Sequence, residues 1–262
     1  MKNSILVMGV LCLALISCKK TPKTVPTTVN ETPKEKALVA INPDVDEGLF
    51  EPKTKYVIAP SGLTLRSGSN LNSKKVLRMP YGSELLVTNI PEHTQMTVAA
   101  VEGAMHRVNF QGVEGFAFSG YLSNLVPPTE NEEPEAYANR VKALGLEVVL
   151  KQEQDPKGAF YGSTTALDLP ATTWNEAFTI AHRLFDLTTG IEFPKQSALR
   201  TQVVESKTKR EKVWKDQLEV TRDENGMIEQ MTYTYAIDGY SRTIEITPSE
   251  IGFLLVEREG MK

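Results

Sequence analysis

Cysteine is nearly absent from this sequence, and the positions of the two cysteines restrict the chemistry of the rest. Cys12 and Cys18 both lie close to the N-terminus, so residues 19–262 contain no cysteine. A cysteine nucleophile and an internal disulfide are therefore excluded for that long region. A peptidase of the Cys-His type is excluded with them.

Other motifs that commonly carry catalysis are missing as well. The sequence has no Gly-x-Ser-x-Gly elbow and no Gly-rich phosphate loop. Ser206 and Lys209 match Ser-x-x-Lys, but they lie in the charged stretch SKTKREK, which is typical of a solvated strand end. The histidines are far apart and lack metal-ligand spacing: His93, His106 and His182. We expect no catalytic residue, no metal and no cofactor.

A clustered excess of basic charge is also absent. The formal net charge is -4, whereas a nucleic-acid-binding domain usually presents a basic face. We therefore expect no nucleic-acid partner.

The N-terminal segment is the first positive feature of the chain. An apolar run at 5–16 follows Lys2 and precedes Ser17 and Cys18. This run of about twelve residues is shorter than the roughly twenty that cross a bilayer, and its order of basic, apolar and small residues is typical of a secretory signal. The tetrad LISC also resembles the bacterial lipobox. The resemblance implies a signal peptide at 1–17 and lipidation of Cys18.

Residues 18–53 are rich in Thr, Pro, Lys and Glu, and we expect them to form a disordered tether. Lys19 and Lys20 follow Cys18 without an acidic run. By analogy with lipoprotein sorting signals, this favours the periplasmic face of an outer membrane. The expected location is the cell envelope, with the membrane reached through the N-terminal lipid.

Short alternating runs separated by Gly, Pro, Ser and Asn extend over residues 54–126, and they predict a small barrel or sandwich. Three segments resemble motifs of bacterial SH3-like (SH3b) domains: LTLRSGS at 63–69, VLRMPYGSEL at 76–85 and GVEGFAFSGYL at 112–122. They occur in the order in which that family has them. The resemblance implies an SH3-like β-barrel.

Aromatic rings are the candidate ligand-binding groups of this domain, because flat rings suit extended peptides and glycan chains. Tyr81 and Tyr121 are expected to be exposed, and Phe118 is the third candidate. The turn that begins at Arg66 is interpreted as a fold signature. Arg66 is expected to hydrogen-bond the barrel, and Gly68 to adopt a backbone angle that other residues avoid.

Residues 127–133 read PPTENEE and predict a linker. After it, 134–262 predict an α+β domain, which we assign to no family. Asn131 is a candidate cap for its first helix, Gly145 marks the end of that helix, and the stripe within 174–185 predicts a second helix. Thr172 or Thr173 is expected to cap the second helix, with Glu176 as capping-box partner.

The last fifty or so residues alternate strongly and carry the clearest turn signals of the chain. Asn225-Gly226 and Asp238-Gly239 are strong hairpin signals between alternating runs. The fold class predicted for the whole chain is mainly β: a small SH3-like β-barrel followed by an α+β domain with helices packed on an antiparallel meander.

The preferred functional hypothesis is a lipid-anchored cell-envelope binding protein without catalysis. Its SH3b domain would recognise peptidoglycan peptide or a protein partner. One alternative is a cell-wall hydrolase, targeted by the SH3b domain and using carboxylates in the C-terminal domain, because such pairs have no fixed sequence spacing. The other alternative is a purely protein–protein inhibitor or assembly lipoprotein.

Overall fold

The computed structural model describes residues 50–90, 95–155, 161–208 and 210–261. The predicted signal peptide at 1–17, Cys18 and nearly all of the predicted tether at 18–53 lie outside these residues, as does His93. Within the described ranges, no helix is both long and apolar enough to span a membrane.

The N-terminal half consists of short strands joined by turns. In chain order these are β1 (Lys53–Val57), β2 (Leu63–Arg66), β3 (Lys75–Met79), β4 (Glu84–Asn89), β5 (Met96–Val98), β6 (Val101–Gly103), β7 (Met105–Phe110), β8 (Val113–Phe118) and β9 (Leu122–Ser123), with a 3-10 turn at Ser119–Tyr121 between β8 and β9. Side chains alternate between the two faces of a strand, and in β2 this buries Leu63 and Leu65.

The first sheet has the hydrogen-bonded order β3-β2-β8-β7-β4-β1-β9, and its described pairs are antiparallel. Strands β5 and β6 form a separate hairpin. The three segments that carry the sequence motifs meet in this sheet, because β2 pairs with β3 on one side and with β8 on the other. Its core includes the fully buried side chains Val57, Leu65, Met79, Val108 and Ala117.

The C-terminal half contains longer strands and two helices among its described residues. In chain order they are α1 (Pro134–Ala143), β10 (Val149–Asp155), β11 (Tyr161–Leu169), α2 (Trp174–Leu184), β12 (Thr201–Glu205), β13 (Val213–Arg222), β14 (Ile228–Ile237), β15 (Tyr240–Pro248) and β16 (Phe253–Met261). The second sheet has the antiparallel order β10-β11-β16-β15-β14-β13-β12.

The face of the second sheet that α2 covers is buried. Ala177, Ile180 and Ala181 of α2 are fully buried, and they share a core with Leu218 and Ile244 of the sheet. The predicted hairpins are confirmed: Asp238 and Gly239 join β14 to β15 as a two-residue turn, and both Gly239 and Gly226 have φ near +80°. The prediction of a mainly β chain with antiparallel sheets is confirmed.

The observed helix ends agree in part with those predicted from the sequence. Thr173 caps α2 as predicted, because its side-chain oxygen accepts a hydrogen bond from the amide of Glu176. The predicted cap of α1 at Asn131 is wrong: Glu133 is the N-cap, and Pro134 occupies the first turn, where its missing N–H costs no hydrogen bond.

Both sheets belong to one compact unit, Glu47–Lys262. Residues 127–133, predicted as a linker, are held by several hydrogen bonds. The carbonyl of Pro127 accepts from Arg140, and Glu132 accepts from both Arg140 and the amide of Thr129. Pro127 and Pro128 are buried. This segment is therefore held against α1 rather than free.

Candidate ligand-binding site

A cavity of about 350 Å³ opens on the first sheet beside the 3-10 turn. Its walls come from the loop between β1 and β2, from β2 and β3, and from the end of β8 with the following turn. Two of the residues predicted to bind a ligand, Phe118 and Tyr121, line it. We call it the Tyr121 cavity.

The two aromatic rings have different roles in this wall. Phe118 is only 3% exposed and belongs to the core, whereas Tyr121 is partly exposed. The ring centroids are 5.8 Å apart, with the planes at 60°, which is a favourable edge-to-face arrangement. Burial raises the pKa of Tyr121 above its ordinary value, so its hydroxyl stays neutral near pH 7. Tyr121 thus presents part of its ring to the cavity, and Phe118 packs edge-to-face against that ring.

Two arginines give the Tyr121 cavity a positive character. Arg66 and Arg78 line it, and among its described lining residues none is acidic. Arg66 donates from Nη1 to the carbonyl of Ser73 at 2.9 Å, as predicted for a residue that holds the fold. Neither arginine forms an ion pair with any residue in the described part of the chain. Planar guanidinium groups suit carboxylates, so this cavity favours an anionic ligand.

Arg78 was not among the residues singled out from the sequence, although a signal for it exists. Arg78 lies opposite Thr64 in the β2–β3 pair, and opposed residues share a face of the sheet. Thr64 and Arg66 share a face because they are two apart on one strand. Once the β2–β3 register is known, Arg78 and Arg66 must therefore lie on the same side.

Tyr81 lies outside the Tyr121 cavity. Its hydroxyl donates to the carbonyl of Pro128 at 3.0 Å, and the guanidinium carbon of Arg183 lies 5.5 Å from its ring centroid. Burial raises the pKa of Tyr81 to about 12. The structure thus brings Tyr121 and Phe118 together and places Tyr81 where the first sheet meets residues 127–133 and α2.

The backbone of the cavity wall depends on Gly62. Gly62 has φ +81°, and a Cβ there would lie 2.7 Å from the carbonyl oxygen of Met79, so no other residue fits without strain. The prediction of such a backbone angle at Gly68 is wrong, because Gly68 is not among the residues with positive φ. In the described ranges, no cluster of three or more His, Cys, Asp or Glu could hold a metal ion.

Comparisons of the chain with protein-family models, with curated proteins and with solved structures give no significant match.

Proposed function

We propose that this protein is a lipid-anchored binding protein of the cell envelope, whose first sheet is an SH3-like barrel that holds an anionic peptide in the Tyr121 cavity. One observation carries the ligand class: a partly exposed tyrosine and two arginines without ion-pair partners line a cavity whose described walls have no acid. The peptide stems of the bacterial cell wall, which carry free carboxylates, are the ligand that we favour. A carboxylate-bearing segment of an envelope protein is the second candidate.

The order of the sequence motifs supports the SH3-like part of this proposal. The three motif segments are neighbours in the first sheet, and Tyr121 of the third motif lies in the cavity with Arg66 of the first. The lipobox at Cys18 supports the anchor. The α+β half would then supply a second surface, and no catalytic step is part of the proposal.

The experiment is retention on purified cell-wall sacculi. A Cys18→Ser protein without its signal peptide removes the lipid as a cause of sedimentation. We expect retention that falls about tenfold in affinity on Tyr121→Ala, because exposed aromatic anchors dominate such interfaces. Arg78→Gln should also weaken retention, and more strongly at low salt than at high salt.

The matched control is Arg107→Gln. Arg107 belongs to the same sheet, is exposed, and pairs with Glu114 outside the cavity, so its loss removes an equal charge without touching the proposed site. The wall-binding proposal fails if the parent protein is not retained, or if Tyr121→Ala is retained as well as the parent. Release of soluble wall fragments would instead support the alternative of a carboxylate hydrolase.

A further inference from the structure

A second cavity, of about 360 Å³, lies between the two halves of the molecule. On one side are the turn between β5 and β6 and the 3-10 turn. On the other are the start of α2, the loop before β12 and the β13–β14 turn. Apolar side chains form much of its described wall: Val101, Leu122, Trp174, Phe193, Met227 and Ile228. We call it the Arg222 cavity.

Arg222 is the charged group on the inner side of this cavity. It is the last residue of β13 and is only 2% exposed. In β13 the residues Leu218, Val220 and Arg222 alternate onto the buried face, so the guanidinium points into the interior, as the neighbouring apolar residues do. A buried arginine in a cavity wall is uncommon, because burying a charge without a counter-charge is costly.

The hydrogen bonds of Arg222 leave part of the guanidinium unsatisfied. Nη2 donates to the carbonyl of Lys195 at 3.0 Å, which fixes the loop that forms one wall. Nη1 is buried and has no hydrogen-bond partner among the residues that the structure describes. Burial lowers the pKa of Arg222 from its ordinary value, yet an arginine remains protonated at neutral pH. The apolar wall thus contains a cationic N–H donor, Nη1 of Arg222, that has no acceptor among the described residues.

The described part of the chain provides no counter-charge to Arg222. Among the described residues that line the cavity, Glu102 is the only carboxylate, and it accepts a hydrogen bond from Gln196 at the exposed rim. No ion pair between Arg222 and an acid occurs within the described ranges. The first residues of α2, Thr173 to Asn175, also contribute to the wall.

We propose that the Arg222 cavity binds a small monocarboxylic acid with an apolar body. After a small shift of the Arg222 side chain that opens the buried Nη1 to the cavity, the carboxylate would accept a hydrogen bond from it. The hydrocarbon part would lie against Trp174 and Phe193. One free guanidinium nitrogen suits a monoanion, and a cavity of this size is in the usual range for small-molecule sites, about 300–1,000 Å³. This ligand differs from the peptide proposed for the Tyr121 cavity, and the two sites have no arginine in common.

The chain contains its own reporter for this experiment. It has two tryptophans: Trp174 in the cavity wall, and Trp214, which is 74% exposed on β13. In a Trp214→Phe protein, the fluorescence therefore comes from Trp174 alone. We would titrate this protein with octanoate and with octanamide, which has the same chain length and no charge. We expect a saturable fluorescence change and an affinity about tenfold or more higher for octanoate.

Two further substitutions locate the site. Arg222→Met keeps a long side chain and removes a buried charge that has no counter-charge, so the variant should fold, although the carbonyl of Lys195 loses its donor. It should bind octanoate and octanamide equally. Arg78→Gln, in the Tyr121 cavity, should leave the preference for octanoate unchanged.

Several results would overturn the proposal. They are no saturable binding of octanoate, equal affinity for acid and amide in the Trp214→Phe protein, or a preference for octanoate that survives Arg222→Met. Loss of the preference on Arg78→Gln would place the acid in the Tyr121 cavity and would also overturn it. If Arg222→Met does not fold, the comparison of octanoate with octanamide in the Trp214→Phe protein still tests the proposal. None of these results depends on whether the protein binds cell wall.

Discussion

Glu176 is the side chain that ties the two halves together. It is 1% exposed, yet its Oε1 atom accepts hydrogen bonds from the hydroxyl of Ser123 and from the amides of Asn124 and Leu125. Its Oε2 atom accepts from the amide and the hydroxyl of Thr172. A buried carboxylate is tolerated when donors surround it. Glu176 therefore joins the end of the first sheet to the start of α2.

Replacing Glu176 should destabilise the protein strongly, because its carboxylate accepts several hydrogen bonds from both halves of the molecule. Glu176→Gln keeps the size but places an NH2 group against donors, so we expect a loss of about 2–4 kcal/mol in the free energy of unfolding. Urea denaturation followed by far-UV circular dichroism measures it. Glu114→Gln is the control, because the Glu114–Arg107 pair is exposed and should contribute about 0.5 kcal/mol or less. Equal effects of the two substitutions would refute the role given to Glu176.

The sequence indicated part of the role of Glu176 and missed the rest. A capping box predicts that the Glu176 carboxylate returns to the Thr173 amide. The amide half of the box is present, since Glu176 N donates to Thr173 Oγ1 at 3.1 Å. The carboxylate instead bonds Thr172 and residues some fifty positions earlier. A local pattern cannot reveal such distant donors.

Arg222, the residue proposed to bind the acid, shows a similar limit of prediction from the sequence. The alternation of Leu218, Val220 and Arg222 was visible in the sequence and places all three on one face. An arginine beside the turn Asp223 to Gly226 is ordinarily solvated, so the alternation alone does not predict its burial. Burial of Arg222 depends on the loop at Lys195, which covers it and accepts its hydrogen bond. That contact is tertiary and has no sequence signature.

Among the strands and helices, those with a clear hydrophobic period and turn signals in the sequence were predictable, and those without them were not. The β13–β14 and β14–β15 hairpins and the apolar stripe of α2 follow from periodicity and turn residues. By contrast, the sequence of 151–170 is mixed and turn-rich and predicts no regular element, yet β10 and β11 occupy much of that stretch. Strand β10 lies at the end of the second sheet, and residues 151–154 are all exposed. Without a buried face, no alternation marks such a strand.

Helix α2 gives the protein a dependence on pH. His182, in the last turn of α2, packs edge-to-face on Phe178 with 5.7 Å between centroids. Burial lowers the pKa of His182 from its ordinary value and outweighs the opposing effects of Asp186 and nearby backbone. Below its unfolded pKa, near 6.5, the unfolded chain takes up a proton that the folded chain does not. Stability should therefore fall as the pH drops from about 7 to about 5.

His182→Gln tests this dependence, because it removes the titrating group. The free energy of unfolding of the parent should fall more steeply with decreasing pH than that of the variant, by at most about 1.4 kcal/mol per pH unit. Urea denaturation at several pH values gives both curves. Parallel curves for parent and variant would show that His182 does not contribute.

For the molecule as a whole, the structure indicates that the two sheets unfold together. Glu176, the bond from Asn175 to the carbonyl of Gly120, and the bond from Tyr81 to Pro128 all connect the first sheet with the segments around α1 and α2. Because opening either sheet would break these bonds, we expect the two sheets to unfold in one transition. The Trp fluorescence of this chain cannot test it, because both tryptophans lie in the C-terminal half.

Native-state hydrogen exchange can test this cooperativity in each sheet separately. The slowest amides of the first sheet, among which we expect Leu65 and Val108, should open with the same free energy as Leu218 and Val220 of the second sheet. All four residues are fully buried. A distinctly lower free energy for the first sheet would show that it opens independently and would contradict the single unit.

The attachment of Ser123–Leu125 to Glu176 also bears on how this protein can be recombined. Small β domains are often treated as portable parts that can be cut at a linker and moved between genes. Here a cut within 127–133 would separate a buried acid from three of its donors and would expose Pro127 and Pro128. A fusion protein that contained residues 54–126 alone would expose surface that is buried in the full chain. We therefore expect this region to be transferred between genes only together with the second sheet.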